Sequence, residues 1–225
     1  MKSRAISIML ATVLCTGLMT GFAAPVNAAG PATLEVFRSA AIITESAPEN
    51  STPSSWAQEE VNAAIESGFV PHDLQSIYTQ PITRAEFCAL AIALYENGTG
   101  RRISNRVKFD DTNDANVEKA AAIGVVNGVG NNRFDPNAQL TREQAATMLS
   151  RLATSLDNPL PKEASKFNDN GSVSSWALEA VGEMQTTGIM GGVGDNTFAP
   201  LQPYTREQSI MTIMRLYLYI IEQLS

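Results

Sequence analysis

The chain has one histidine, two cysteines and two tryptophans, and each scarcity removes a class of explanation. Cys15 lies in an apolar N-terminal stretch, so a chain processed after that stretch keeps Cys88 alone and forms no internal disulfide. Its stability then comes from packing or assembly. Phe87, Ala89 and Leu90 around Cys88 mark it as a small buried hydrophobe. His72, between Pro71 and Asp73, reads as solvated, and no metal-ligand cluster or nucleophile–base pair is present. Neither metal nor cofactor is expected. Asp110, Asp111 and Asp114 do not follow calcium-loop spacing, and the glycine-rich segments match neither phosphate-loop nor dinucleotide spacing. Basic residues are also few, 16 Lys and Arg against 23 Asp and Glu for a net charge of −7. That balance argues against a nucleic-acid or anionic-membrane partner, since both reward clustered cations. Isolated carboxylates such as Glu143 and Glu207 lack the positioning groups of a catalytic site, so no enzyme is expected.

What is present begins with an export signal. Met1-Lys2-Ser3-Arg4 precedes an apolar run from Ala5 to about Phe22, and small residues follow at Val26-Asn27-Ala28-Ala29. Residues 1–28 read as a signal peptide, with no membrane insertion after its removal. Leu14 before Cys15 departs from a lipobox, which carries a small residue there. Residues 29–53, with Pro31, Pro48 and Pro53 among scattered Ser, Thr and Glu, read as a flexible arm too short to fold alone.

The remainder repeats. Thr83-Arg84, Thr141-Arg142 and Thr205-Arg206 anchor three copies, at residues 54–98, 107–156 and 165–221. Upstream of each pair stands a glycine–apolar step, Gly68-Phe69, Gly124-Val125 or Gly188-Ile189, and seven residues before each glycine stands Val61, Val117 or Val181. Each threonine opens a capping box with Glu86, Gln144 or Gln208, a strong helix-start signal. Behind them run apolar stripes: Phe87, Leu90, Ala91 and Leu94; Ala145, Met148, Leu149 and Leu152; Ile210, Ile213, Met214 and Tyr217. A first helix in each copy is expected around Trp56, Ala115 and Trp176, with Ser55 or Ser175 as N-cap. Copies two and three share a turn-rich loop, Gly128 to Pro136 and Gly192 to Pro200, holding Gly130 and Gly194 and one apolar anchor each, Phe134 or Phe198. One helical pair cannot close a core but three can, so the expected fold is all-α: three helix-loop-helix repeats with pseudo-threefold symmetry around a central three-helix bundle, with short β-bridges in the loops.

Ile82-Thr83-Arg84-Ala85-Glu86, the Trp56-Ala57 and Trp176-Ala177 pairs, the loops ending Phe-x-Pro, and the openings Phe109-Asp110-Asp111 and Phe167-Asn168-Asp169 resemble S-layer homology repeats. The resemblance covers roughly residues 54–221. It implies a secreted, cell-surface module whose inter-repeat grooves bind secondary cell-wall polysaccharide, commonly pyruvylated, or alternatively a scaffold for another surface protein. Carried over, the family's groove motif falls on Thr83, Arg84 and Glu86, on Thr141 and Arg142, and on Thr205 and Arg206, with Trp56, Trp176, Gly130 and Gly194 beside it.

A cation in a helix's first turn opposes the helix dipole, so three arginines there call for another reason. Each is expected to join the helix's free N–H groups in holding a carboxylate, with internal ion pairing as the alternative. Arg206→Lys is then expected to weaken binding while stability barely moves. The first copy lacks the glycine-rich loop and the second lacks the tryptophan, so three equal sites are not expected.

Overall fold

A computed structural model describes residues 51–224; the signal-peptide and most of the flexible-arm expectations lie outside them. The fold is all-α. Its helices are α1 (Gln58–Glu66), α2 (Arg84–Thr99), α3 (Ala115–Ala122), α4 (Arg142–Ser155), α5 (Leu178–Thr187) and α6 (Arg206–Gln223). Among the described residues β-structure is limited to isolated bridges, including Pro81–Thr205, Thr83–Gln139 and Thr141–Pro203. No helix among them is long and apolar enough to cross a membrane.

The three long helices start where the threonines direct. Thr83, Thr141 and Thr205 are extended N-caps whose hydroxyls accept from the third helical N–H, while Glu86, Gln144 and Gln208 reach back to the N-cap N–H. Satisfying these orphan donors locally lets the helices begin in a buried region. Their apolar stripes are buried except at Tyr217, which is half-buried, with Phe87, Leu90, Leu149, Leu152, Ile210 and Ile213 almost fully out of solvent, and α2, α4 and α6 contact one another pairwise.

The short helices differ from expectation in start and partner. α1 begins at Gln58 and α5 at Leu178, with Ala57 and Ala177 at the N-cap and no side-chain cap. Ser55 and Ser175 are therefore not caps, and the tryptophans precede their helices. The start is held instead by a carboxylate from another copy. Glu207 accepts from the Ser54 backbone N–H and hydroxyl at 3.0 and 2.9 Å, and Glu143 does the same for Ser174 at 2.9 and 2.9 Å. α1 then packs chiefly on α6, α3 on α2 and α5 on α4. Each copy's first helix thus docks on the preceding copy's long helix, the first copy closing onto the third.

The repeated glycine–apolar step ends each short helix. Gly68, Gly124 and Gly188 all have positive φ, between 71° and 79°, which glycine adopts without the steric cost a side chain incurs. The turn drops Phe69, Val125 and Ile189 into the core beside Val61, Val117 and Val181. Cys88 is fully buried, and that burial pushes its thiol well above the ordinary range.

Candidate functional site

The segments entering the three long helices are tied in a ring. Ile82 N–H donates to Tyr204 O at 2.8 Å, Leu140 N–H to Ile82 O at 3.0 Å, and Tyr204 N–H to Leu140 O at 2.9 Å. Beside this ring each helix N-terminus meets the loop of the next copy. Arg84 and Ala85 N–H donate to Ala138 and Pro136 carbonyls, Arg142 and Glu143 N–H to Gln202 and Pro200, and Arg206 and Glu207 N–H to Gln80 and Tyr78. The N–H groups expected to receive a ligand carboxylate are therefore filled by protein carbonyls. Backbone donors and acceptors withdrawn from water need partners, and here the helix-start N–H groups and the loop carbonyls satisfy one another.

The guanidinium groups lie against the same loops. Arg84 donates through Nε to Phe134 O and through Nη2 to Asn127 O, both at 3.0 Å. Arg142 donates to Phe198 O at 2.7 Å and Gly191 O at 2.6 Å. Each stacks on its loop's aromatic anchor, 4.4 Å from the Phe134 centroid and 4.8 Å from that of Phe198. Burial lowers the pKa of both, partly offset by Asp135 and Asp111 near Arg84 and by Asp169 near Arg142. Arginine remains charged through such shifts. Arg206 differs. It donates to Ser76 O at 2.5 Å and pairs with Glu86 at 2.7 Å.

The glycine-rich loops are pinned from below by aspartates. Asp111 accepts from Phe134 and Asp135 N–H, and Asp169 from Phe198 and Ala199 N–H, all at 2.8 Å. These bonds hold the Asp111 carboxyl below the ordinary range, and at Asp169 they outweigh the opposing effect of burial. Gly130 and Gly194, at φ 103° and 126°, form the turn tips. The glycines that line the grooves are Gly128, Gly191 and Gly192; an added Cβ at Gly128 would stand 2.7 Å from Arg133 O and one at Gly192 2.6 Å from Thr197 O. Their need was legible only as general glycine richness.

Two equivalent grooves result. Groove A, about 210 Å³, is lined by Arg84 of the first copy, Gly128, Gln144 and Arg151 of the second, and Trp176 of the third. Groove B, about 130 Å³, is lined by Arg142 of the second copy, Gly192, Gln208 and Arg215 of the third, and Trp56 of the first. Every lining comes from three copies. The tryptophans are 55% and 59% exposed at Trp176 and Trp56; they are walls, not core. Thr83, Thr141 and Thr205 act as caps beside the grooves, and Glu86 faces Arg206. Arg151 and Arg215 were missed in the sequence, although both follow the motif arginine by nine residues.

Residues 110–146 and 166–208 match the model of the S-layer homology domain. Those residues are S-layer homology domains. They cover the loops, the motif arginines Arg142 and Arg206, and the starts of α4 and α6. The chain is 32% identical over 72% of its length to an endoglucanase of a Bacillus species. It is 28% identical over 76% to an exoglucanase of Acetivibrio thermocellus, and 27% identical over 72% to a surface-layer 125 kDa protein of Lysinibacillus sphaericus. It spans 17%, 16% and 14% of those three proteins respectively. Residues 54–98 repeat the same capping box, loop-facing arginine and buried valine as the two S-layer homology domains.

Proposed function

We propose that this S-layer homology protein attaches non-covalently to the bacterial cell surface by binding secondary cell-wall polysaccharide in grooves A and B, with residues 54–98 serving as a third repeat. One observation carries the reading: both grooves set a half-exposed tryptophan from one copy beside an arginine and a glutamine from the other two. Large aromatics are normally packed away. An indole face left open beside polar donors suits a sugar ring, whose apolar face stacks while its hydroxyls accept from guanidinium and amide. Both volumes fall below those of enclosed small-molecule pockets, which fits single units of a chain lying along the surface. The motif arginines shape the grooves by holding the loops that wall them, and no catalytic role is assigned to Glu143 or Glu207, whose oxygens are occupied by serines.

Co-sedimentation of the full chain with isolated cell walls tests this. The Trp56→Ala/Trp176→Ala double variant should lose at least about tenfold in affinity, and wild-type binding should vanish once secondary polymer is extracted. Undiminished binding to extracted walls, or to a surface protein alone, would replace sugar recognition by a scaffold role.

A further inference from the structure

Asn-Gly steps occur three times in the chain, at Asn97-Gly98, Asn127-Gly128 and Asn170-Gly171. Such a step can react with itself, because the glycine nitrogen has no side chain to shield it and can attack the asparagine amide carbon, expelling ammonia. Whether it does depends on how the fold holds the two groups. Asn97 and Gly98 lie inside α2, where the N–H groups are engaged in the helical ladder, and Asn97 Nδ2 donates to Gly68 O at 2.6 Å. Asn170 and Gly171 belong to a short 3₁₀ turn, with Asn170 Nδ2 donating to Ser165 O at 2.6 Å and Oδ1 shut away from solvent. Both steps are locked.

Asn127-Gly128 is not. Asn127 is exposed in the loop after α3, and among the described residues neither its side chain nor the Gly128 N–H makes a hydrogen bond. A shielding side chain has no room at the second position, since a Cβ on Gly128 would stand 2.7 Å from Arg133 O and 3.0 Å from the Phe109 ring. The deciding contact is on the peptide that joins the two residues. Arg84 Nη2 donates to Asn127 O at 3.0 Å, and that oxygen shares its peptide group with the Gly128 nitrogen. A guanidinium held there stabilises the imidate that forms when the nitrogen loses its proton. Groove B keeps the contact without the amide: Arg142 Nη2 donates to Gly191 O, and Gly191-Gly192 stands where groove A has Asn127-Gly128.

We propose that Asn127 is a site of spontaneous deamidation, promoted by Arg84, which alters groove A and spares groove B. Gly128 N gives its proton to solvent and bonds to Asn127 Cγ; the Cγ–Nδ2 bond breaks, and the nitrogen takes up a proton and leaves as ammonia. Water then adds to one carbonyl of the cyclic imide and breaks that carbon's bond to Gly128 N. Opening at Cγ gives aspartate, and opening at the main-chain carbonyl gives isoaspartate. An amide and a water become a carboxylate and an ammonium ion, with nothing oxidised or reduced. Because Arg84 polarises the main-chain carbonyl, isoaspartate is the major product, and the oxygen that Arg84 holds then belongs to a free carboxylate. The backbone also gains a methylene beside Gly128, which is confined by Arg133 and Phe109, so the wall of groove A from Val126 to Val129 is displaced. Resting on the wall-polymer reading, groove A loses its fit as the chain ages.

Peptide mapping by mass spectrometry of the full chain, kept warm in mildly alkaline buffer with and without guanidinium chloride, tests the assignment. Deamidation reads as the mass gain of OH replacing NH2, and isoaspartate as methyl transfer by an isoaspartate methyltransferase. In the folded chain Asn127 should react at least about tenfold faster than Asn97 and Asn170, whereas in denaturant the three should converge. Arg84→Gln should slow Asn127 about tenfold, the loss of a charge-assisted bond; if that variant unfolds, the same contribution is read in wild type as a rate at Asn127 no lower when folded than when denatured. Wall co-sedimentation should weaken on ageing in wild type but not in Asn127→Gly, which copies Gly191, each compared with its own fresh sample. Equal protection of all three asparagines in the folded chain overturns the site. An unchanged rate in folded Arg84→Gln, or a wild-type rate at Asn127 that falls on folding, overturns the part given to Arg84. Deamidated wild type that binds walls as its fresh sample does overturns the effect on groove A. Fresh wild type that fails to bind walls overturns the wall-polymer reading, while the mass measurement, which needs no ligand, still decides the modification.

Discussion

Arg142 stands where two demands meet, the electrostatics of a helix start and the backbone of a folded loop. Its position in the first turn of α4 points to a ligand, because an unpaired cation there opposes the helix dipole. The structure supplies a structural reason as well: Nε and Nη2 satisfy the Phe198 and Gly191 carbonyls, and the residue is only 4% exposed. A lysine keeps the charge but cannot fork, so one of the two loop carbonyls loses its donor. The expectation that lysine would leave stability unchanged therefore gives way to a different one. Arg142→Lys should cost about 2 kcal/mol and lower the melting temperature by roughly 4–8 °C, measured by scanning calorimetry. An unchanged melting temperature would show that the loop holds itself and return the arginine to ligand binding alone.

Helix starts at Thr83, Thr141 and Thr205 were legible because a capping box is a local device, complete within four residues. The starts of α1 and α5 were not, because Glu207 and Glu143 hold them from another copy and no local pattern reveals an acceptor 153 or 31 residues away. The docking of each short helix on the preceding copy was hidden for the same reason: an apolar stripe declares that a face is buried without saying against what. Grooves assembled from three copies could be placed near the motif arginines, but Arg151 and Gly128 emerge only once the copies are brought together. Gly182 inside α5 belongs here too. In a helix interior a glycine reads as a fault that alanine would repair by about 1 kcal/mol. Yet a Cβ at Gly182 would stand 1.9 Å from Glu163 O, where the backbone of residues 163–165 crosses the helix. Gly182→Ala should therefore destabilise by about 2–3 kcal/mol through overpacking, read from urea denaturation. A stabilised variant would mean that the crossing segment yields freely.

At the scale of the whole molecule the question is whether the copies form an open array or a closed one. In an open solenoid each repeat contacts only its neighbours, and removal of a terminal repeat leaves the others folded. Here α1 packs on α6, Ser54 is held by Glu207, and the ring of Ile82, Leu140 and Tyr204 needs one residue from each copy. Loss of residues 165–225 would strip α1 of its helix partner, leave Ile82 N–H without Tyr204 O, and expose the faces of α2 and α4 that pack on α6. α2 and α4 carry many fully buried apolar side chains, Leu90 and Leu149 among them, and apolar surface newly exposed on such helices drives association. A chain ending at Leu156 should therefore melt without a cooperative transition or self-associate, as light scattering and circular dichroism would report. A monomeric, cooperatively folding two-copy fragment would instead make the array open and the closing contacts between first and third copies dispensable.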